Sequence, residues 1–190
     1  MSVFNIVIAG VGGQGVLLAS KVLAESALAG GMDVKQNEVH GMAQRGGSVI
    51  SFVRIGKQVY SPVVVPGTAD ILISFEPLEA LRYLHYLKPG GKLVYNRVTI
   101  NPSTVASGLA KYPTDVEEQI VKGCPDALGI DALAIAQEAG NAKAVNMVMV
   151  GAVVKNLPLD SQIVENVVRE ISRDKGVEVN LKALAGGAAA

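Results

Sequence analysis

The chain has 190 residues, 49% apolar and 18% charged, with 17 basic and 17 acidic side chains that leave no formal net charge. That length suits one domain with a sizeable core, and so apolar a composition excludes a disordered chain. Balanced charge and 4% aromatic residues argue against a nucleic-acid surface, and the longest apolar run, "VNMVMVGAVV", has about half the ~20 residues a membrane span needs.

In chain order, Met1 leads directly into "VFNIVIAG", a compact apolar run ending in glycine, as expected of a buried parallel strand. No charged segment followed by an apolar one precedes it, so the expected location is cytoplasmic. Residues 15–29 read as a helix. Val16, Leu18, Ala19, Val22, Leu23 and Ala27 form its apolar face, Lys21 and Glu25 lie opposite, and Gly30-Gly31 closes it. A short strand near Val34 precedes a polar loop, "EVHGMAQRGG" (38–47). In "SVISFVRIGKQVYSPVV" two β-rich halves meet at "IGKQ", which predicts a hairpin.

"DILISFE" is a further buried strand. "PLEALRYLHYLKPGG" is a helix with Pro77 in its first turn and Lys88 and Gly90-Gly91 at its end. "KLVYN" is another strand, and 97–113, rich in Pro, Ser, Thr and Gly, reads as an excursion from the core. Cys124 is the single cysteine. It cannot hold an iron–sulfur cluster or a structural zinc within this chain, and "KGCPDA" offers no base to activate it, so it reads as an inert thiol. A short strand at "GID", a helix at "ALAIAQEAG", a nearly all-round apolar helix over 141–157 and an amphipathic one from Asp160 or Ser161 follow. "ALAGGAAA" is expected to fray at about 185–190. Strands alternating with helices give a single-domain α/β fold: a doubly wound, mostly parallel Rossmann-like sheet with a β-hairpin inserted after the second strand. The mean hydropathy of +0.35 points to a well-filled core or to apolar surface shared with a partner.

Two segments carry candidate chemistry. "GVGGQG" fits G-x-G-x-x-G at Gly10, Gly12 and Gly15, after a strand and at the start of a helix, where the motif has physical meaning. Gly12 and Gly13 let backbone N–H groups approach an anion, and the helix start favours negative charge. Gly10, Gly12, Gly13, Gln14 and Gly15 are therefore candidates for a phosphate contact. A dinucleotide site also needs an acidic residue ~20 positions on, to hold a ribose. That count reaches Lys35, Gln36 and Asn37. Glu38 already opens the polar loop, so the hook is absent or displaced. A turn with no ligand stays open as an alternative.

In the polar loop, Arg45 can clamp a carboxylate or phosphate, His40 can exchange a proton near neutral pH and Gln44 offers an amide. An ordinary solvated loop has the same composition. Asn146, in the apolar helix, needs a partner, across an interface or back at a turn. Glu76, at the carboxyl end of a strand, stands where α/β folds place ligands, yet carboxylates there also simply begin helices.

"IVIAGVGGQGVLLASKVLAESAL", "EVHGMAQRGGSV", "ADILISFEPLEALRYLHYLKPGG" and "GNAKAVNMVMVGAV" occur in the order found in 2-oxoacid:ferredoxin oxidoreductases, and nearly the whole chain resembles the gamma-type domain of that family. "HGMAQRGGSV" and "STVASGLAKYP" most resemble the beta-type subunit of its indolepyruvate branch. The resemblance implies an oxidative decarboxylation of aryl pyruvates with coenzyme A and ferredoxin, and leaves the glycine turn with two candidate roles, a coenzyme A phosphate contact or packing against an alpha subunit. It implies that thiamine diphosphate, magnesium and 4Fe-4S clusters reside on an alpha subunit, none being bound by this chain alone, and that no nucleic acid or membrane is involved. Glu38, His40, Gly41, Met42, Gln44, Arg45, Gly46, Gly47 and Asn146 become candidate interface residues, with His40 and Arg45 the candidates nearest the partner's chemistry. A stand-alone nucleotide- or NAD-binding Rossmann protein is the alternative from another class. A structural partner domain with no ligand is the third.

Overall fold

A computed structural model describes residues 2–40, 46–172 and 176–190. The elements are β1 (Phe4–Val11), α1 (Val16–Ala29), β2 (Asp33–His40), β3 (Ser48–Gly56), β4 (Ala69–Ser74), α2 (Pro77–Tyr83), β5 (Leu87–Asn96), α3 (Ser103–Ala106), α4 (Val116–Gly123), β6 (Leu128–Ile130), α5 (Ala132–Glu138), α6 (Val145–Val154), α7 (Ser161–Ser172) and α8 (Val177–Ala189). The strands form one six-stranded sheet in the order β2-β3-β1-β4-β5-β6. Only β3 runs against the others: it pairs antiparallel with β1 and β2, while β1, β4, β5 and β6 pair parallel. The sheet is thus mostly parallel and covered on both faces, as a doubly wound fold requires.

The alternation of the strands decides which helices cover which face. Ile6, Ile8, Val53, Ile71 and Ile73 point to the layer of α1, α5, α6, α7 and α8. Val7, Ala9, Ile50, Phe52 and Leu72 point to the layer of α2 and α4. On the first face, α6 and α8 cross closely at two glycines. A Cβ on Gly151 would lie 2.0 Å from the Leu184 carbonyl oxygen, and one on Gly187 would lie 2.0 Å from that of Val148.

Several sequence expectations are corrected. The hairpin predicted across "IGKQ" is not formed. Residues 48–56 are one strand, and the following segment cannot continue a ladder because Pro62 and Pro66 lack N–H donors. That segment is held instead by Val59 N–H donating to Asp33 Oδ2 (2.7 Å) and by Arg54 donating to the Ser61 carbonyl (2.8 Å). The antiparallel pair is β2 with β3, and β3 lies between β1 and β2. The second strand extends to His40, so "EVHGMAQRGG" starts inside it. The helix from Pro77 ends at Tyr83, ahead of Lys88, and Gly90-Gly91 belong to a register shift within β5. The helix expected over 141–157 begins at Val145, after a 3-10 turn. The chain end is helical to Ala189, because its small residues pack against α6.

Candidate functional site

β1 sits where the sheet changes direction: the chain passes to β2 on one side and returns to β4 on the other. The carboxyl ends of β1 and β4 therefore flank a crevice of the kind in which open α/β sheets place ligands. The glycine turn occupies it. A Cβ at Gly10 would lie 2.8 Å from Val16 Cγ2 and 2.9 Å from Phe75 Cβ, so the helix can seat on the strand only over a bare backbone. Gly13 (φ 104°) and Gly15 (φ 85°) hold left-handed conformations that favour glycine.

Gln14 is structural. Its Oε1 accepts from Val11 N–H (2.6 Å) and its Nε2 donates to the Phe75 carbonyl (2.8 Å), tying the turn to the end of β4. Gly12 N–H donates to the Gly47 carbonyl (2.8 Å). The end of the 38–47 segment is thus bonded to the glycine turn, which sequence spacing alone does not reveal. Asn146 also arrives there, at the start of α6: its Nδ2 lies 2.8 Å from the position a Gly15 Cβ would take. The Asn146 side chain thus lies beside the turn, while its Oδ1 accepts from Met147 N–H (3.0 Å) within its own helix.

Gly13, Gly15, Asn96, Lys143 and Asn146 line a cleft of about 460 Å³ on one side of the turn. On the β3 side, Val11, Leu17, Leu18 and Val49 line an apolar hollow of about 530 Å³, where Leu17 stays 45% exposed. Glu38 is exposed near the end of β2 and accepts from Gln36 Nε2 (3.2 Å). The His40 backbone pairs with Val49. Gly41, Met42, Gln44 and Arg45 lie outside the described residues, and Gly46 and Gly47 lead into β3.

The interposed β3 removes the geometry of a dinucleotide site. In such a site the second parallel strand lies beside the first, one spacing of ~4.8 Å away, and its end reaches the ribose. Here β2 is two spacings from β1, or about 10 Å. Glu38 is accordingly carried away from the turn.

A second polar group lies across the crevice. Glu76 is fully buried and caps α2, accepting from Glu79 N–H (3.0 Å) and from the Tyr112 hydroxyl (2.5 Å). Burial pushes the Glu76 carboxyl above the ordinary glutamate range, against the lowering effect of those donors. The Tyr112 hydroxyl is pushed well up by burial and by the adjacent Glu76 carboxylate. This bond ties the 97–113 excursion to the carboxyl end of β4. Glu79, also buried, accepts from the Ser48 hydroxyl, which lies 2.9 Å from Tyr83 Oη, and from Arg82 Nε (3.0 Å). Sequence reasoning weighs Glu76 both as a ligand position and as a helix start, and the structure shows it capping α2; it does not find Glu79, and the one signal for the pair is the spacing of two glutamates across a helix N-terminus, as in a capping box. Cys124 is buried, and burial raises its thiol, in keeping with an inert role. Among the described residues no group of His, Cys, Asp and Glu is arranged to hold a metal.

The model of the family described as pyruvate ferredoxin/flavodoxin oxidoreductase matches residues 5–190. The indolepyruvate oxidoreductase subunit IorB of Pyrococcus horikoshii is 46% identical over 188 residues, covering 96% of this chain and 93% of that protein. The protein of the same name from Thermococcus kodakarensis is 45% identical with the same coverage. The solved structure of the pyruvate oxidoreductase subunit PORC of Thermotoga maritima superposes with a TM-score of 0.74 at 24% identity, covering 98% of this chain and 96% of that one, which supports the fold. With the match running from residue 5 to residue 190 and relatives near half identical almost end to end, the chain belongs to the pyruvate ferredoxin/flavodoxin oxidoreductase family.

Proposed function

We propose that this chain is the beta-type subunit of an indolepyruvate:ferredoxin oxidoreductase, working in a complex with an alpha subunit. The complex converts aryl pyruvates, with coenzyme A and oxidised ferredoxin, to aryl-acetyl-CoA, carbon dioxide and reduced ferredoxin. The observation that carries this reading is the identity of 46% and 45%, over 96% of this chain, to proteins named as IorB subunits. The chain's own donors do not fit the redox cofactors: a 4Fe-4S cluster takes a full set of thiolates, and there is one cysteine. We assign thiamine diphosphate, magnesium and the clusters to the alpha subunit, where the thiamine supplies the carbon–carbon bond cleavage.

The share of this chain is positional. The 38–47 segment is bonded to the switch point at Gly47, and the turn it meets also borders an apolar hollow with an exposed Leu17 that can seat a partner surface. His40 and Arg45 are the groups we assign to the neighbourhood of the partner's keto-acid site, with Arg45 holding a carboxylate or phosphate. Coexpression with a candidate alpha subunit tests the assignment. An aryl-pyruvate-dependent reduction of ferredoxin should appear only when both chains are present, and no copurification with a thiamine and iron–sulfur partner would remove the basis of the proposal. Arg45→Ala should lower kcat/KM for the keto acid or raise KM for coenzyme A about tenfold or more, as expected for loss of a charge-assisted contact. Unchanged constants in an intact complex would return the loop to a packing role.

A further inference from the structure

We propose that Glu79 is a positioning residue: through Ser48 it sets where the end of the 38–47 segment meets the glycine turn. The inference rests on the role in keto-acid handling proposed above for that segment. Glu79 is the third residue of α2, three positions after the cap, Glu76. In a capping box a glutamate at this position reaches back to the N–H of the cap residue. Only half of that exchange is made here. Glu76 accepts from Glu79 N–H (3.0 Å), while among the described residues the Glu79 carboxylate takes no bond from Glu76 N–H. It turns instead to the hydroxyl of Ser48, 31 positions earlier in the chain, and to Arg82 Nε (3.0 Å).

The helix start does not need this carboxylate, since Glu76 caps it and Pro77 opens it. Glu79 is only 2% exposed, and an apolar side chain of similar volume would fill the same space without the cost of a buried charge. What the carboxylate does hold is the first residue of β3. Oε2 takes the Ser48 hydroxyl, Oε1 is fixed by Arg82, and the Tyr83 hydroxyl, one turn further along α2, lies 2.9 Å from Ser48 Oγ. Ser48 is thus gripped from two successive turns of one helix. That grip bears directly on the crevice. Ser48 pairs with Val11, at the end of β1, and the carbonyl of the preceding Gly47 accepts from Gly12 N–H (2.8 Å). The next residue of β3, Val49, pairs with His40. Gly46 and Gly47 have no side chains with which to fix the chain, so Ser48 is the first side chain able to anchor the exit of the segment. Through it, α2 fixes both the joint to the glycine turn and the strand that pairs with His40.

Glu79→Met removes the carboxylate and keeps its bulk, and Ser48→Ala removes the hydroxyl it holds. In the 15N-labelled full chain, Glu79→Met should move the Gly12 and Gly47 amides, which are remote from it in sequence. In a Ser48→Ala chain the same change should move them no further, because the link is already gone. In the complex with an alpha subunit, Ser48→Ala should raise KM for the aryl pyruvate about tenfold with kcat within about twofold, as expected when a displaced segment loses binding shared by ground and transition states. Ser48→Thr, which keeps the hydroxyl, should restore KM. A merely structural role would instead lower kcat through loss of intact complex and leave KM alone. Gly12 and Gly47 amides unmoved by Glu79→Met, or moved equally with and without the Ser48 hydroxyl, would overturn the proposal. An unchanged keto-acid KM for Ser48→Ala in a complex whose wild type is active would do so too. A wild-type complex that reduces no ferredoxin with aryl pyruvates would count against the proposed function, and the amide shifts, which need neither partner nor turnover, would still decide the positioning.

Discussion

Replacing Gly187 by alanine strikes the crossing that sets where α6 begins. The added Cβ would lie 2.0 Å from the Val148 carbonyl oxygen and 3.0 Å from Ala152 N, both backbone atoms of the facing helix. Carbon–oxygen contacts between helices settle at ~3.3–3.6 Å, so the two helices must part by more than about 1 Å. Forcing a methyl into a packed core costs ~1–3 kcal/mol. The upper end applies because neither backbone can rotate away as a side chain would. Alanine regains ~0.8–1 kcal/mol of helix propensity over glycine, leaving a loss of about 2 kcal/mol, or a fall of about 4–8 °C in Tm for a domain of this size. Gly186→Ala is the internal control. It has the same propensity gain in the same helix, but its Cβ meets one methyl, Ile135 Cγ2 at 2.7 Å, and should stay within about 1 kcal/mol of wild type. Gly151→Ala should match Gly187→Ala, since it faces the Leu184 carbonyl at 2.0 Å from the other side. The double variant should lose less than the sum, because the first methyl has already parted the helices. Calorimetric melting of the full chain measures all four. A Gly187→Ala protein that melts with wild type, or with Gly186→Ala, would refute the argument that this contact holds α6 in place.

At the turn, Gly15→Ala combines a left-handed φ of 85° with a Cβ 2.8 Å from Asn146 Nδ2. The backbone penalty alone is ~1–2 kcal/mol, and a urea double-mutant cycle with Asn146→Ala should show the steric part relieved and the backbone part retained. Burial raises the Glu76 carboxyl in the folded chain. Its contribution is therefore full below the unfolded glutamate value and lost as pH rises above it through the raised folded one. Glu76→Gln should remove that drift, so its melting temperature should gain on wild type as pH rises through this window; a constant offset would contradict it. Tyr112→Phe removes the bond that ties the excursion to Glu76. Amide exchange over 97–113 should quicken while that of β1 and β4 is unchanged, and stability should fall by ~1.5–3 kcal/mol, the range for a hydrogen bond to a charged group.

Local features were legible in the sequence where their causes were local. Strand β1, the glycine turn and α1 follow from an apolar run, a glycine spacing and a helical period within one short segment, and the structure places them together. The hairpin over "IGKQ" failed because β-branched composition was weighed above Pro62 and Pro66, whose missing donors forbid a second ladder. The end of the chain failed for a related reason. Alanine and glycine read as weak helix and frayed end, yet at a close crossing the absence of side chains is what permits packing. Asn146 was legible as a polar residue needing a partner. Where it lies depends on α6 docking beside a turn far away in sequence, and no local pattern encodes that.

The position of β3 connects these particulars to function. In a dinucleotide-binding sheet the second parallel strand lies next to the first, and the turn, the helix and the acidic hook close around one ligand. Here an antiparallel strand comes between them. It moves Glu38 outward by a strand spacing, and it brings the end of the 38–47 segment to the turn, where Gly47 accepts from Gly12. The insertion thus exchanges an enclosed cofactor site for an open one. On one side of the turn Gly13, Gly15, Lys143 and Asn146 line a cleft of about 460 Å³. On the other, Val11, Leu17, Leu18 and Val49 line an apolar hollow. A site open on both sides excludes little water by itself. A second surface closing on it is a physical reason to expect this chain to work as a subunit.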